Sequence, residues 1–414
     1  MERKKIKIGL FGFGVVGKGL YDVLASNPGL RAEIIKICVR DKGKERPIAK
    51  EHFTFYKHEL LFNEEVNVIV ELIDDAEAAF EIVKTALENG KAVVSANKKM
   101  IAEHLDELIA LQKIHNVPFL YEAACCASIP VIRNLEEYYD NDLLQSLSGI
   151  INGSTNYILT KMSRDKVAFD LALREAQEFG YAESNPFLDI EGLDAKNKLT
   201  ILLAHAFGIV ANPGDIFHKG ISGIGSLESS YALEKGYKIK LVAHAQKLNE
   251  SEVAAFVLPQ FVRPDSRLFD VDDVFNGVEI EGCFADRQFF CGRGAGSYPT
   301  ASAVLSDISA LSYDYRYEYK KLHQINSLKL SEDFSLQVFV RFEYGNSDIT
   351  ESFTEIMEHY QNGNACYIAG RIKFSDLVNA AWSRQENVSL VLCPDISLKS
   401  ADVISEDYRV EELV

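Results

Sequence analysis

Lys5-Ile-Lys-Ile-Gly-Leu-Phe-Gly-Phe-Gly-Val-Val-Gly17 opens the chain and decides its fold. Lys5 to Phe11 reads as a short strand, and Gly12-Phe13-Gly14-Val15-Val16-Gly17 leads it into a helical stretch that stops at Ser26-Asn27-Pro28-Gly29. Glycines in this spacing, between a strand and a helix, each have a physical task. The first makes a tight turn, the second lets backbone approach a pyrophosphate, and the third lets helix and strand pack closely. Amide groups at the helix start then face the phosphates. A purely structural glycine turn is the alternative, and the context opposes it. Glu33 to Val39 reads as the next strand, and Val66 to Ile73 is a near-continuous apolar run, as a strand covered on both faces requires. A helix from Ala76 to Glu88 closes at Asn89-Gly90. A strand at Ala92–Ser95, a helix at Met100–His115 and a strand at Val117–Tyr121 follow. Such repeated units predict a parallel sheet with right-handed crossovers, an α/β dinucleotide-binding domain of the Rossmann type.

Beyond Asn141 the pattern changes. Leu147–Ile151, Ala254–Val262 and Val278–Cys283 read as strands, Asp170–Phe179 and Leu193–Phe207 as helices, which predicts an α+β substrate and dimerisation domain. The chain returns to the first domain at Gly292, with Ala301–Leu311 as a helix packing back on it and Tyr313–Tyr319 as a connector. From Leu328 the order is strand (Ser335–Glu343), helix (Asp348–Tyr360), strand (Cys366–Arg371), helix (Phe374–Ala381) and strand (Val388–Leu392). That order is compatible with a small ferredoxin-like C-terminal domain. The expected division is 1–140 (completed by about 292–320), 141–291 and 328–414.

Composition narrows the function. The chain has 414 residues, 47% of them hydrophobic and 25% charged, as in soluble globular proteins. No apolar run is long enough to cross a bilayer, so no membrane is expected as a partner and the cytoplasm is the expected address. A formal net charge of −17 disfavours nucleic acid, although a local basic pocket can still take a small anion. Seven cysteines, without zinc spacing, fit reduced thiols.

The candidate site residues lie where strands end. Arg40 comes first after the second strand, with Lys42, Lys44 and Arg46 close by, which favours the 2′-phosphate of NADP. Asp41 keeps NAD open, and a solvated charged loop explains the same residues. Ser95 and Lys98 follow the strand at 92–95, where ligands bind in open α/β sheets, so Lys98 can reach a nicotinamide edge or a substrate carboxylate. By placement alone, a lysine opening a helix is the simpler account. Glu122-Ala-Ala-Cys-Cys-Ala-Ser-Ile-Pro130 is a run of small residues whose carbonyls could approach a ligand or cation. Asn152-Gly153-Ser154-Thr155-Asn156-Tyr157 could bind a carboxylate at a helix start, or simply cap the helix. The densest acid–base cluster is Glu183, Asp189, Glu191, Asp194, Lys196 and Lys198. Asp194 and Lys198 share one helix face, and a carboxylate there can hold an ammonium for proton transfer, or form an ordinary salt bridge.

Together the segments GFGVVG, SANKK, YEAACCASIP, NGSTNYIL, GYAESNPFLDIEGLDAKNKL and GRGAGSYPTASAV resemble, in order, the homoserine dehydrogenase family, from about residue 5 to 310. The resemblance implies reduction of L-aspartate 4-semialdehyde to L-homoserine by NADPH or NADH, within threonine, methionine and isoleucine biosynthesis. It implies Lys198 as proton donor and Lys98 as the second active-site lysine. Glu183 and Asp194 would hold the substrate amino group, with Asp189 beside it and Asn152, Gly153 and Thr155 lining the substrate. Gly294 and Gly296 would pack on the cofactor with Gly12, Phe13, Gly14, Val15, Val16, Gly17, Arg40, Ser95 and Lys98. A monovalent cation, Na⁺, would be held by Glu122 and the carbonyls of Cys125, Ala127 and Ile129. Most members have glycines where this chain has Cys-Cys-Ala-Ser; carbonyls survive that change, whereas glycine-only geometry would not. The family also implies a homodimer or a dimer of dimers. Its relatives often carry an ACT domain after residue 328, but Tyr344-Gly345-Asn346-Ser347-Asp348 lacks the usual Asp-x-Pro-Gly turn, so an ACT-like fold is expected and feedback inhibition stays open.

Two other readings compete. A phosphorylating aldehyde dehydrogenase would use Cys125 or Cys126 as a thiolate nucleophile. A non-catalytic dinucleotide-binding sensor would need neither lysine.

Overall fold

The computed structural model describes residues 4–27, 29–141, 143–324, 327–343, 347–363, 365–394 and 398. Pro28 of the predicted helix stop and residues 344–346 of the C-terminal turn lie outside them.

The first unit is built from β1 (Ile6–Phe11), α1 (Val15–Ala25), β2 (Ala32–Cys38), β3 (Phe53–Thr54), β4 (Val68–Glu71), α2 (Ala76–Glu88), β5 (Ala92–Ser95), α3 (Lys98–His115) and β6 (Phe119–Leu120). Its six strands run parallel in the order β3-β2-β1-β4-β5-β6. The order reverses between β1 and β4, and ligands of such sheets bind at that switch, outside the carboxyl ends of the strands. All four residues of β4 are buried, as the apolar run predicts. Side chains start the helices at this edge: Asp75 accepts from Ala78 N–H, and Asn97 accepts from Met100 N–H.

Next come α4 (Val131–Glu137), β7 (Leu144–Ile150), α5 (Gly153–Asp165), α6 (Phe169–Glu178), α7 (Leu193–Phe207), α8 (Ser226–Lys235), β8 (Lys238–Lys247), β9 (Glu252–Val262), β10 (Phe275–Gly282), β11 (Asp286–Arg293) and α9 (Ser297–Leu311). Helix α9 packs back on α1, as its apolar, small-residue sequence predicts. The two approach closely because a Cβ on Gly19 would lie 2.5 Å from Ser297 Oγ, and that hydroxyl donates to Val15 O at 2.8 Å. The strand β8 was not visible in the sequence pattern.

The C-terminal unit is β12 (Ser335–Glu343), α10 (Ser347–Glu351), β13 (Phe353–Asn362), β14 (Ala365–Lys373), α11 (Phe374–Asn379) and β15 (Ser389–Leu392). Its strands lie antiparallel in the order β15-β12-β14-β13, the split βαβ arrangement of ferredoxin-like units. The predicted helix Asp348–Tyr360 is corrected here: only Ser347–Glu351 is helical, and Phe353–Asn362 is the edge strand β13. Phe353, Ile356, Met357 and Tyr360 recur at helical spacing, but the pairing of β13 with β14 shifts register twice, between Phe353/Glu355 and Ile356/Glu358. Each irregularity disturbs the strand's period of two, so a strand can imitate a helical pattern. The C-terminal unit does not stand apart. Leu392 of β15 pairs with Gln260 of β9, so one mixed sheet runs through both units. Arg341 ties them further, donating to Glu228 at 2.6 Å and to Gly223 O at 2.8 Å.

Candidate active site

The glycine turn sits at the switch point. Gly12 has φ +93, and a Cβ there would lie 2.4 Å from Leu72 O; a Cβ on Gly17 would lie 2.4 Å from Gly12 O. Around Gly14 nothing lies within 4 Å, so this backbone faces open space, as phosphate binding requires. Phe13 turns inward instead, edge-on to Phe53 with ring centroids 5.3 Å apart.

A cleft of about 370 Å³ runs from this turn to the lysines. Val15 and Val16 line one end, with Gly294 and Gly296 beside them; Lys98, Asn152, Gly153, Glu183, Asp189, Asp194 and Lys198 line the other. The helix α7 delivers Asp194 and Lys198 from its first turns, and α3 delivers Lys98 from its first residue. Asp194 stands between the lysines: Oδ1 is 2.8 Å from Lys98 Nζ, and Oδ2 is 2.7 Å from Lys198 Nζ. Asn152 Nδ2 donates to Asp194 Oδ2 at 2.8 Å and to Asp189 Oδ1 at 2.7 Å. Lys198 also donates to Ile151 O at 2.7 Å. An ammonium has three donors; with Asp194 and Ile151 taking one each, the third is left for the cleft.

Electrostatics follow from this packing. Burial alone would raise the Asp194 carboxyl, but Lys198 and then Lys98 outweigh it and hold it well below the usual carboxylate range. Asp194 in turn raises the Lys98 ammonium. Burial, with Asp194 nearby, pushes Asp189 up.

Some predicted residues stand behind the cleft. Ser95 is fully buried and donates to Glu71 Oε2 at 2.5 Å. Thr155 is fully buried too; its N–H and Oγ1 both donate to Asn152 Oδ1, so it orients that amide. Arg40 is exposed just beyond β2, while Asp41 Oδ1 accepts from Gly43 N–H in its own turn. Sequence reasoning missed Leu72, Ile73 and Asp74, which line the cleft after β4. The rule that ligands bind at strand ends beside the switch point would have found them.

The Glu122–Ala127 stretch forms a buried turn on which Ala123, Ala124 and Cys126 line the cleft. Glu122 accepts from the N–H groups of Ile132 and Arg133 at 2.9 and 2.8 Å. Burial, with Asp307 beside it, pushes its carboxyl up to about 8. Cys126 and Ala127 have φ of 54 and 39, left-handed values that strain residues with a side chain by about 1–2 kcal/mol each. The backbone thus keeps a glycine-like shape without glycine. Cys125 and Cys126 are buried, and burial pushes both thiols up, Cys126 to about 12. A thiol so disfavoured as thiolate is a poor nucleophile, and the aldehyde dehydrogenase reading finds no support. Nor does the sensor reading, which leaves the Lys98–Asp194–Lys198 bridge unexplained. Among the described residues, no helix is long and apolar enough to cross a membrane.

Comparison with known proteins agrees with this geometry. A family model described as homoserine dehydrogenase matches residues 130–309, and one described as homoserine dehydrogenase, NAD binding domain matches residues 12–122. A homoserine dehydrogenase of Bacillus subtilis is 32% identical over 99% of both chains. One of Neisseria gonorrhoeae is 40% identical over 74% of this chain and 72% of its own. The crystal structure of a homoserine dehydrogenase from Thiobacillus denitrificans superposes with a TM-score of 0.83 at 32% identity, covering 95% of this chain and 99% of that one. A hyperthermophilic archaeal homoserine dehydrogenase mutant in complex with NADPH gives a TM-score of 0.65 at 28% identity, covering 76% of this chain and 100% of that one. With its Rossmann-type unit, its lysine-bearing cleft and a relative 32% identical over 99% of both chains, the chain belongs to the homoserine dehydrogenase family, a family of oxidoreductases.

Proposed function

We propose that the cleft interconverts L-aspartate 4-semialdehyde and L-homoserine, with Lys198 as the acid and base. The observation that carries this is the Asp194 carboxylate bridging Lys198 and Lys98 inside the cleft that begins at the glycine turn. A bound nicotinamide supplies or accepts the hydride. As the aldehyde carbon is reduced, its oxygen gains negative charge, and the third N–H of Lys198 points a proton source and a positive charge at it. Asp194 keeps that ammonium aimed, 2.7 Å from its Oδ2. Lys98, 44% exposed at its side chain, adds charge beside cofactor and substrate. Both oxygens of Asp194 are engaged by lysines, so Glu183 and Asp189 are the carboxylates with most freedom to meet the substrate amino group, and Asn152 and Gly153 close that end.

The same proposal extends to the rest of the assembly. NADP is favoured over NAD because Arg40 is exposed while Asp41 is committed to its own turn. A monovalent cation, Na⁺, would be held by Glu122 and the carbonyls of Cys125, Ala127 and Ile129 on the strained turn; Arg133 already answers Asp307 at 2.7 Å, so Glu122 is the carboxylate the ion would meet. There it would fix the turn that floors the cleft. One sheet face offers Ser146, Ser148, His244, Gln246, Gln260 and Glu279 around a groove of about 420 Å³, a surface for homodimerisation. We assign 1–140 with about 292–320 to cofactor, 141–291 to substrate and dimerisation, and 328–414 to an ACT-like unit. The cytoplasm is the compartment, and biosynthesis of threonine, methionine and isoleucine the pathway, that this reading assigns. Homoserine oxidation measured with NADP and with NAD, with and without Na⁺ and threonine, tests it. No homoserine-dependent nicotinamide reduction under any condition would overturn it.

A further inference from the structure

The strand β10 carries a side chain that the fold leaves unsatisfied. Asn276 is completely buried, and neither Nδ2 nor Oδ1 has a hydrogen-bond partner of ordinary geometry among the described residues. Buried amides are normally paired, and leaving one unpaired weakens the fold. Its surroundings show what could pair with it. Gly294 lies directly against the amide: a Cβ there would fall 1.9 Å from Nδ2 and 2.3 Å from Oδ1. Asn276 also faces Gly292 across the β10–β11 ladder. Among the described residues its amide reaches only the Cys126 thiol, a weak hydrogen-bonding partner, on the turn whose residues hold left-handed φ values. Gly294, Gly296 and Cys126 line the cleft on their other side. The amide is therefore a back wall one residue deep, separated from the cleft only by a backbone loop. That loop is Gly294-Ala295-Gly296, and Gly296, at φ +121, gives it conformational freedom.

We infer that Asn276 is a positioning residue for the nicotinamide cofactor: when the cofactor fills the cleft, the 294–296 backbone settles on the amide, and its peptide N–H and C=O groups pair with Oδ1 and Nδ2. The inference rests on the reading that this cleft takes a nicotinamide cofactor. An amide is the side chain this needs, because a peptide presents one donor and one acceptor and Asn answers both. Asp has the shape without the donor; Leu has nearly the shape and neither polar atom. In the free enzyme the amide is a burden that cofactor binding relieves, so removing it should stabilise the free enzyme and weaken binding. A merely structural amide would move both quantities the same way.

The test titrates full-length wild type, Asn276→Leu and Asn276→Asp with NADPH by fluorescence, and measures Tm of each without cofactor. The expected result is a Leu variant whose Tm equals or exceeds that of wild type while its Kd for NADPH rises about tenfold, with the Asp variant weakened in between. Kd values within about twofold of wild type in both variants, a difference of less than one RT, would overturn the inference. So would weaker binding accompanied by a lower Tm in the Leu variant. If Asn276→Leu does not fold, the Asp variant decides by its Kd for NADPH alone, since a buried carboxyl lowers Tm in any case. Failure of wild type itself to bind NADPH would instead remove the functional reading beneath.

Discussion

Replacing Lys198 by Met removes one ammonium from the cleft and leaves almost everything else in place. Its Nζ makes contacts of 2.7 Å with both Asp194 and Ile151 O, and only 7% of the residue is exposed. Methionine fills most of the same volume and is unbranched, so the packing of α7 should survive. Asp194 keeps Lys98 at 2.8 Å and Asn152 at 2.8 Å, so its charge is not stranded. The main stability loss is the Ile151 carbonyl left without a donor, worth about 1–3 kcal/mol. That is too little to unfold a chain with cores as extensive as these. Catalysis loses far more. A positioned general acid contributes about 10²–10⁴-fold, which corresponds to about 3–5 kcal/mol of transition-state stabilisation. Steady-state oxidation of homoserine, followed by nicotinamide absorbance, should show kcat down by that factor, with cofactor affinity unchanged. A folded Lys198→Met enzyme retaining more than about a tenth of wild-type kcat would refute the assignment, because it would leave the proton donor less than the smallest share such a group supplies.

Asp194→Asn is the complementary change. It leaves two ammoniums facing a neutral amide, and stranding a buried charge in this way costs about 3–5 kcal/mol; a Tm within error of wild type would contradict it. Arg40→Ala should raise KM for NADPH about tenfold, the loss of a charge-assisted contact of about 1.4 kcal/mol, and leave NADH unchanged. Equal effects on both cofactors would mean that Arg40 does not face the 2′-phosphate. Cys125→Ala and Cys126→Ala should each keep kcat within about twofold, whereas a thiolate nucleophile requires abolition. His244 is held neutral by burial, its pKa down to about 4, against about 6.5 in an unfolded chain. The unfolded chain therefore takes up the proton first, and stability falls as pH drops from about 6.5 towards 4. Urea midpoints measured across that range should decline less steeply in His244→Gln; parallel curves would show that His244 does not set the slope.

The Rossmann-type half was readable element by element, apart from the two-residue β3, because its elements are long-patterned and locally punctuated. Asn89-Gly90 ends α2 and the apolar run at 66–73 becomes the buried β4, as their chemistry demands. The C-terminal unit was readable only in outline. Phe353, Ile356, Met357 and Tyr360 carry a helical period into an edge strand, and nothing local reveals the register shifts that reconcile the two. The site divided along the same line. The pairing of Asp194 with Lys198 follows from helix spacing, but that of Asp194 with Lys98 joins two units and is a fact of tertiary structure. Ser95 and Thr155 read from the sequence as cofactor- and substrate-binding residues, yet both are buried behind the cleft, bonded to Glu71 and Asn152, because sequence cannot say whether a hydroxyl faces a ligand or the residue that does. Asn276 gave no signal at all, since what marks it is the lack, among the described residues, of any partner stronger than a thiol in a packed interior.

The far end of α7 explains why the lysine can be held so closely. His205, about 10 Å along the helix from Lys198 at 1.5 Å per residue, is bound through Nδ1 to Glu136 at 2.6 Å and through Nε2 to the Tyr121 hydroxyl at 2.8 Å. That hydroxyl meets Tyr319 at 2.8 Å, and Lys321 donates to His205 O at 2.9 Å. Tyr121 directly precedes Glu122 and the strained turn, while Tyr319 ends the Tyr-rich connector and Lys321 follows it on the way to the C-terminal unit. The connector is therefore no mere spacer. Polar groups buried this deeply are favourable only when every one finds a partner, and a network that achieves it is rigid. Rigidity is what the chemistry requires, because an error of about 1 Å in a reacting group can cost about 10²-fold in rate. The position of Lys198 is thus fixed from both ends of one helix: by Asp194 and Ile151 at the cleft, and by a tyrosine–histidine–glutamate cluster where the Rossmann-type unit, the second unit and the connector meet.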